Sequence, residues 1–186
     1  MRVIAGAAKG RRLKAPTTGT RPMADNMREA VFSALGDLAG LKVLDLYAGS
    51  GSLGLEALSR GASRAVFVES AREAILKLEQ NIDATDLRER AEVQWGDVNS
   101  VLQRAAIERM DLIFVDPPYS MPGAAAEANL EAIVTGGFLA DDGRVVVHRP
   151  SKDASLAPLG LELSWERDYG QSHISVFTHE QDSTET

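Results

Sequence analysis

The chain contains no cysteine. That absence excludes disulfides, thiolate metal sites and thiol nucleophiles. Histidine is nearly as scarce. His148, His173 and His179 are the whole set, too few and too scattered for a metal site, so no metal is expected. No apolar run approaches the ~20 residues that a membrane span needs. The start, "MRVIAGAAKGRRLK", has no apolar stretch of signal-peptide length before its basic cluster. No export signal and no membrane partner are therefore expected, and the cytoplasm is the expected location. Acid is missing from residues 1–22, which carry Arg2, Lys9, Arg11, Arg12, Lys14 and Arg21.

That last absence splits the charge. The whole chain of 186 residues carries −7, the first 22 residues carry +6, and the remainder therefore carries −7 − 6 = −13. A basic arm on an acidic body points to a polyanion held at one place, or to a solvated extension. Hydrophobic residues make up 44%, enough for one ordinary folded domain and too many for a disordered chain. The expected division is a basic hairpin and loop over 1–24, a folded body over 25–180 and a disordered polar tail, "QDSTET", over 181–186. Oligomeric state is open, with a monomer favoured.

The rhythm of the chain sets the fold class. "RVIAG" and "RRLKAP" around "GAAKG" predict an N-terminal β-hairpin. "DNMREAVFSALGDLAG" predicts a helix, with Asp25 or Asn26 as cap, capping-box spacing from Asn26 to Glu29, and an end at Gly40. From residue 42 to 149, strands and helices alternate. "KVLDLY", "RAVFVE", "AEVQW", "DLIFVD" and "GRVVVH" are the strands. "SLGLEALSR", "REAILKLEQNIDAT", "VNSVLQRAAIER" and "AAEANLEAIV" are the helices. Alternation of this kind implies βαβ units and an α/β fold with a parallel sheet covered on both faces. After Pro150, "LELSWERDY", "GQ" and "SHISVFTHE" predict an antiparallel hairpin closing that sheet.

"DLYAGSGSLG" joins the first strand to the next helix, and Gly49, Gly51 and Gly54 satisfy G-x-G-x-x-G. Small residues let a ligand approach the backbone, and the helix start offers free N–H groups. Glu69 ends the next strand about 20 residues on, where a carboxylate can accept from ribose hydroxyls or cap the following helix. A nucleoside-bearing cofactor is expected, either NAD or S-adenosylmethionine. Asp45, so close to the loop, would repel a pyrophosphate and suits an ammonium group, or it braces the loop amides. Asp97 at the third strand's end suits an adenine amino group, an N-cap role, or both.

"DPPY" stops the fourth strand, because proline lacks an N–H and fixes φ. Asp116, Pro117, Pro118 and Tyr119 then stand at a strand tip. Two acceptors, the Asp116 carboxylate and the Pro117 carbonyl, can each hold one hydrogen of a planar NH₂ group. Its lone pair is then free for an electrophile, and Tyr119 offers a face for stacking a base. These segments resemble class I S-adenosylmethionine-dependent methyltransferases acting on exocyclic amines. With "RVIAGAAKGRRLKAP…TRP…D…REAVFSAL", the chain resembles the RsmD family, which methylates guanine N2 in bacterial 16S ribosomal RNA.

The resemblance implies a Rossmann-like class I methyltransferase sandwich: a mostly parallel seven-stranded sheet ending in an antiparallel hairpin, preceded by the N-terminal hairpin and helix. It implies S-adenosyl-L-methionine held by Asp45, Tyr47, Ala48, Gly49, Ser50, Gly51, Glu69, Ser70, Asp97 and Val98. Catalysis falls to Asp116, Pro117, Pro118 and Tyr119. RNA contact falls to Lys9, Arg11, Arg12, Lys14 and Arg21, with the 30S ribosomal subunit or its assembly intermediate as partner. Two departures stand out: "TRPMADNMREAVF" where the family usually reads "TRPTTDRVREALF", and His148 where the fifth strand commonly ends in an acid. An amine methyltransferase acting on DNA or on a protein glutamine is the alternative, and an NAD-dependent oxidoreductase a more distant one.

Overall fold

The computed structural model describes residues 1–15 and 23–181. In chain order the elements are α1 (Asp25–Leu35), β1 (Lys42–Leu46), α2 (Ser52–Ser59), β2 (Arg64–Glu69) and α3 (Arg72–Ala84). A short 3-10 turn over Arg88–Arg90 leads into β3 (Ala91–Trp95), α4 (Val98–Leu102), β4 (Met110–Val115) and α5 (Gly123–Thr135). The last three are β5 (Leu139–Pro150), β6 (Leu161–Tyr169) and β7 (Ser172–His179). The seven strands form one sheet in the order β3-β2-β1-β4-β5-β7-β6. Pairing is parallel from β3 to β5 and antiparallel from β5 through β7 to β6. This is the Rossmann-like methyltransferase architecture.

The central strands are largely apolar because both of their faces are covered. Alternate side chains feed two cores. Val43, Phe67, Leu112 and Phe114 pack under α1, α2 and α3, with Phe32, Leu58 and Leu78. Leu46, Val68, Ile113 and Val115 pack under α4 and α5, with Val98, Leu130 and Ile133. At roughly 1.5–3 kcal/mol per fully buried large apolar side chain, these two layers dominate the stability of the fold.

Several local expectations are corrected. α1 is preceded by Ala24 and has no side-chain cap, because the Asp25 carboxylate is taken by Arg28 Nη2 at 3.0 Å. It ends at Gly36 (φ 75°) rather than Gly40, so Leu38 enters the core from a loop. α4 is one short turn instead of reaching residue 109: Ala106 N–H turns to Gly136 O at 2.9 Å, and Ile107 is fully exposed. β5 begins at Leu139, ahead of Gly143, with an irregularity in its register against Met110 and Leu112 of β4.

The N-terminal hairpin is a single antiparallel bridge, Arg2 to Arg12, and not a pair of strands. Four of its amides bond instead to side chains of the body. Glu56 on α2 accepts from Ile4 N–H at 2.8 Å and Ala5 N–H at 3.0 Å. Ser59 Oγ accepts from Ala8 N–H at 2.9 Å, and Asn81 Oδ1 on α3 accepts from Lys14 N–H at 2.8 Å. Val3, Ala8 and Leu13 are buried in the core beneath. Glu56 is itself fully buried, paired with Arg60 at 2.7 Å and lying 3.9 Å from the buried Arg28.

Candidate active site

The strand order reverses between β1 and β4, which are neighbours although far apart in sequence. Ligands in open α/β sheets bind outside the carboxyl ends of the strands at such a switch point. Leu46 pairs with Val115 across it. The glycine loop after β1 and the Asp116–Tyr119 segment after β4 therefore leave the sheet side by side.

The loop is built from its backbone. Gly49 sits at φ 57° with open space where a Cβ would be, so nothing of the protein blocks a ligand there. Gly54 lies one turn into α2, where a Cβ would come within 2.3 Å of the Phe67 ring, so only glycine lets the helix lie this close to β2. Ala48, Ser50 and Gly51 are buried in the loop. Tyr47 takes a left-handed φ of 60°, which is costly for an aromatic residue. Its hydroxyl accepts a bond from Asn129 Nδ2 of α5, and burial pushes its phenol above the ordinary value.

Three carboxylates surround the loop. Glu69 Oε2 accepts from Gly49 N–H at 2.8 Å, while Oε1 accepts from Ser70 N–H at 2.8 Å and Ala71 N–H at 2.7 Å. The acid at the tip of β2 thus clasps the glycine loop and the start of α3 at once. Asp97 caps α4, with Oδ1 accepting from Ser100 N–H at 3.1 Å, and Val98 behind it is buried. Asp45 is buried: Oδ2 accepts from Gly54 N–H at 2.9 Å and Oδ1 has no partner. Burial holds its carboxyl well above the usual range, and the nearby Asp116 and Glu69 charges push the same way against the Gly54 amide. A buried carboxylate oxygen lacking a donor fits a ligand carrying an ammonium group. Glycine loop, clasping acid and orphaned acceptor together fit a nucleoside with an amino-acid arm better than a dinucleotide.

At the tip of β4, Asp116 is half-buried, Pro117 is buried, and Pro118 and Tyr119 are exposed. Asp116 Oδ1 lies 2.8 Å from His148 Nδ1, and His148 Nε2 lies 3.1 Å from the Tyr119 hydroxyl. That hydroxyl is in turn 3.0 Å from Ser172 Oγ. The Tyr119 and His148 rings meet edge to face, at 5.5 Å and 75°. The segment after Tyr119 is pinned by Arg149, which donates to Met121 O at 2.7 Å and pairs with Asp153 at 2.6 Å. Among the described residues no cluster of three or more His, Asp or Glu side chains is arranged to hold a metal ion.

The basic residues lie apart from this centre but are tied to it. Lys9, Arg11, Arg12 and Lys14 are exposed. Arg11 reaches Asp86 at 3.2 Å and Lys14 Nζ reaches Gln80 at 3.1 Å. Asn81 links the two regions, since its Nδ2 donates to both Lys14 O and Ser50 O at 2.9 Å. Arg21 lies outside the described residues. Sequence reasoning passed over Asn81, Asn129, Arg149 and Ser172. A polar residue at a core position of a helix, as at Asn81 and Asn129, was the signal available for two of them.

A family model described as conserved hypothetical protein 95 matches residues 1–178. YlbH of Bacillus subtilis (strain 168) is 35% identical, over 95% of this chain and 98% of its own. Ribosomal RNA small subunit methyltransferase D of Escherichia coli (strain K12) is 32% identical, over 97% of this chain and 90% of its own. Among solved structures, YhhF from Escherichia coli superposes with a TM-score of 0.85 at 32% identity, covering 97% of this chain and 98% of that one.

Proposed function

The chain belongs to the family described as conserved hypothetical protein 95, the RsmD family, and from that premise we propose that it methylates the exocyclic N2 amine of a guanine in 16S ribosomal RNA. The observation that carries the reading is the adjacency, across β1 and β4, of the glycine loop and the Asp116–Tyr119 tip. S-adenosyl-L-methionine, when bound, supplies a methyl group on a sulfonium. Asp45, Tyr47, Ala48, Gly49, Ser50, Gly51, Glu69, Ser70, Asp97 and Val98 form the site that holds it. Asp45 Oδ1 takes the ammonium, Glu69 keeps one lone pair, on Oε2, for the ribose beyond its three loop bonds, and Asp97 takes the adenine amine.

Asp116 and the Pro117 carbonyl each accept one hydrogen of the guanine amine. That localises the nitrogen lone pair, which is otherwise delocalised into the ring. The rate gain comes from position and from acceptors facing the charge that develops on nitrogen. Pro118 stiffens the turn, and the Tyr119 ring stacks the base. Residues 1–24 form the arm that holds RNA phosphates through Lys9, Arg11, Arg12, Lys14 and Arg21, and residues 25–180 carry the transfer. The protein acts in the cytoplasm on the 30S subunit or its assembly intermediate. No helix among the described residues is long and apolar enough to cross a membrane.

The test is transfer of a tritiated methyl group to 30S particles, to their protein-free RNA and to DNA, followed by nucleoside analysis. N2-methylguanosine from the ribosomal substrates, lost in Asp116→Ala, is the expected result. Label in DNA alone, or in another base, would overturn the assignment.

A further inference from the structure

Resting on that reading, we propose that His148 is a positioning residue that ties the acid and the ring of the amine clamp into one rigid unit, as a neutral imidazole protonated on Nδ1. His148 follows the apolar, buried Val145–Val147 run of β5 and is only 2% exposed. A buried imidazole without partners would be costly, yet here both ring nitrogens are engaged, on two different members of the clamp. Nδ1 meets Asp116 Oδ1 at 2.8 Å and Nε2 meets the Tyr119 hydroxyl at 3.1 Å. Ser172 Oγ closes the far end at 3.0 Å.

Elementary chemistry orders the protons. An ionised Asp116 can only accept, so Nδ1 carries the hydrogen. With the ring neutral, as proposed, Nε2 holds a lone pair and accepts from the Tyr119 hydroxyl, whose oxygen in turn accepts from Ser172. The donors run Ser172 to Tyr119 to His148 to Asp116, and each bond polarises the next. Two consequences follow for the reaction. Asp116 Oδ1 already accepts one bond from His148, so Oδ2 is the less engaged atom and the better placed acceptor for the amine. The Tyr119 ring, edge-on to the imidazole, cannot swing without breaking the chain, so the plane that stacks the base and the oxygen that holds its amine are set together. A side chain with one polar end, such as a carboxylate, would bond one of them and leave the other loose.

The test has two arms. In the first, ¹⁵N spectra of histidine-labelled protein contain three imidazoles, and the His148 signals are those missing from His148→Gln. The expected result is a neutral ring protonated on Nδ1, with that preference lost in Asp116→Ala. A ring protonated on Nε2, alone or together with Nδ1, or one indifferent to Asp116→Ala, overturns the proposal. This arm needs neither cofactor nor RNA, so it stands or falls independently of the assigned reaction.

In the second arm, His148→Gln and His148→Ala are assayed for methyl transfer, with melting curves to establish that both fold. Single-turnover rates should fall about tenfold, near the loss of one hydrogen bond in the transition state, while affinities for RNA and S-adenosylhomocysteine stay within about twofold of wild type by that same reasoning. Imidazole added to His148→Ala should restore rate, whereas pyrrole, equal in size but with no acceptor nitrogen, should not. Equal rescue by both would make His148 a space-filler and overturn the proposal. If the wild type itself methylates no RNA, the reaction assignment fails, and the ¹⁵N spectra alone decide the role of His148.

Discussion

Asp45 and Tyr119 carry consequences that individual substitutions expose. Burial raises the Asp45 carboxyl well above its ordinary value of 3.8. The folded protein therefore binds a proton more readily than the unfolded chain, and stability falls as pH rises through the folded value. Asp45→Asn keeps an acceptor for Gly54 N–H but removes the titration. The ligand-free variant should melt above wild type at neutral pH, with the difference vanishing in acid below the unfolded value. Its affinity for S-adenosylhomocysteine should fall about ten- to a hundredfold, since a charged hydrogen bond is worth about 1.5–3 kcal/mol. Melting curves against pH and calorimetry check the two halves. At Tyr119 the stacking role leaves the hydroxyl idle, but the structure gives it His148 and Ser172. Tyr119→Phe should therefore lose up to about tenfold in turnover, the scale of one hydrogen bond. Tyr119→Ala should also weaken RNA binding by about 1–3 kcal/mol of lost stacking. A Phe variant equal to wild type would show the hydroxyl to be spectator.

Among the elements, α2 bears the most unusual load. Glu56 on its buried face accepts two amides of the arm and neutralises Arg28 and Arg60. Glu56→Gln leaves the buried Arg28 with Asp25 as its only counter-charge and takes the carboxylate from Arg60, which should cost up to about 3–5 kcal/mol. Hydrogen exchange at Ile4 and Ala5 should rise before exchange in β1, because the arm loosens first. Uniform acceleration would mean that arm and body unfold as one. None of this linkage was legible in the sequence, where "SLGLEALSR" reads simply as a helix. The central strands were legible because a run such as "DLIFV" has only one way to hide both faces. α4 was overextended because "QRAAIER" has helical composition, but no neighbour covers Ile107 and the amide of Ala106 finds Gly136 instead. The glycine loop and Asp116–Tyr119 were found by local pattern. Their bonds to His148 and Ser172 span 29 and 53 residues from Tyr119 and exist only once β5 and β7 lie in order beside β4.

The whole molecule is an acidic body with its positive charge gathered at one end of the chain, +6 against −13. RNA binding should be focused on that arm and strongly salt-dependent. Replacing Arg11, Arg12 and Lys14 together by neutral residues should flatten the salt dependence by about 2 units, at roughly 0.7 per phosphate contact on single strands. Cofactor affinity should persist, and residual methylation should fall on the same base, because phosphate contacts position rather than read. An unchanged slope would move the RNA surface elsewhere. The manner of the arm's attachment reaches further. Its backbone amides, rather than its charged side chains, are held by Glu56, Ser59 and Asn81. Docking thus rests on those backbone bonds and on the buried Val3, Ala8 and Leu13, and the arm's exposed positions can drift without loosening the joint. Gly6 is the exception: a Cβ there would sit 1.8 Å from the Ser59 carbonyl oxygen. A lineage could therefore retune its grip on a changing RNA by ordinary substitution at Lys9, Arg11, Arg12 or Lys14, while Gly6 stays fixed.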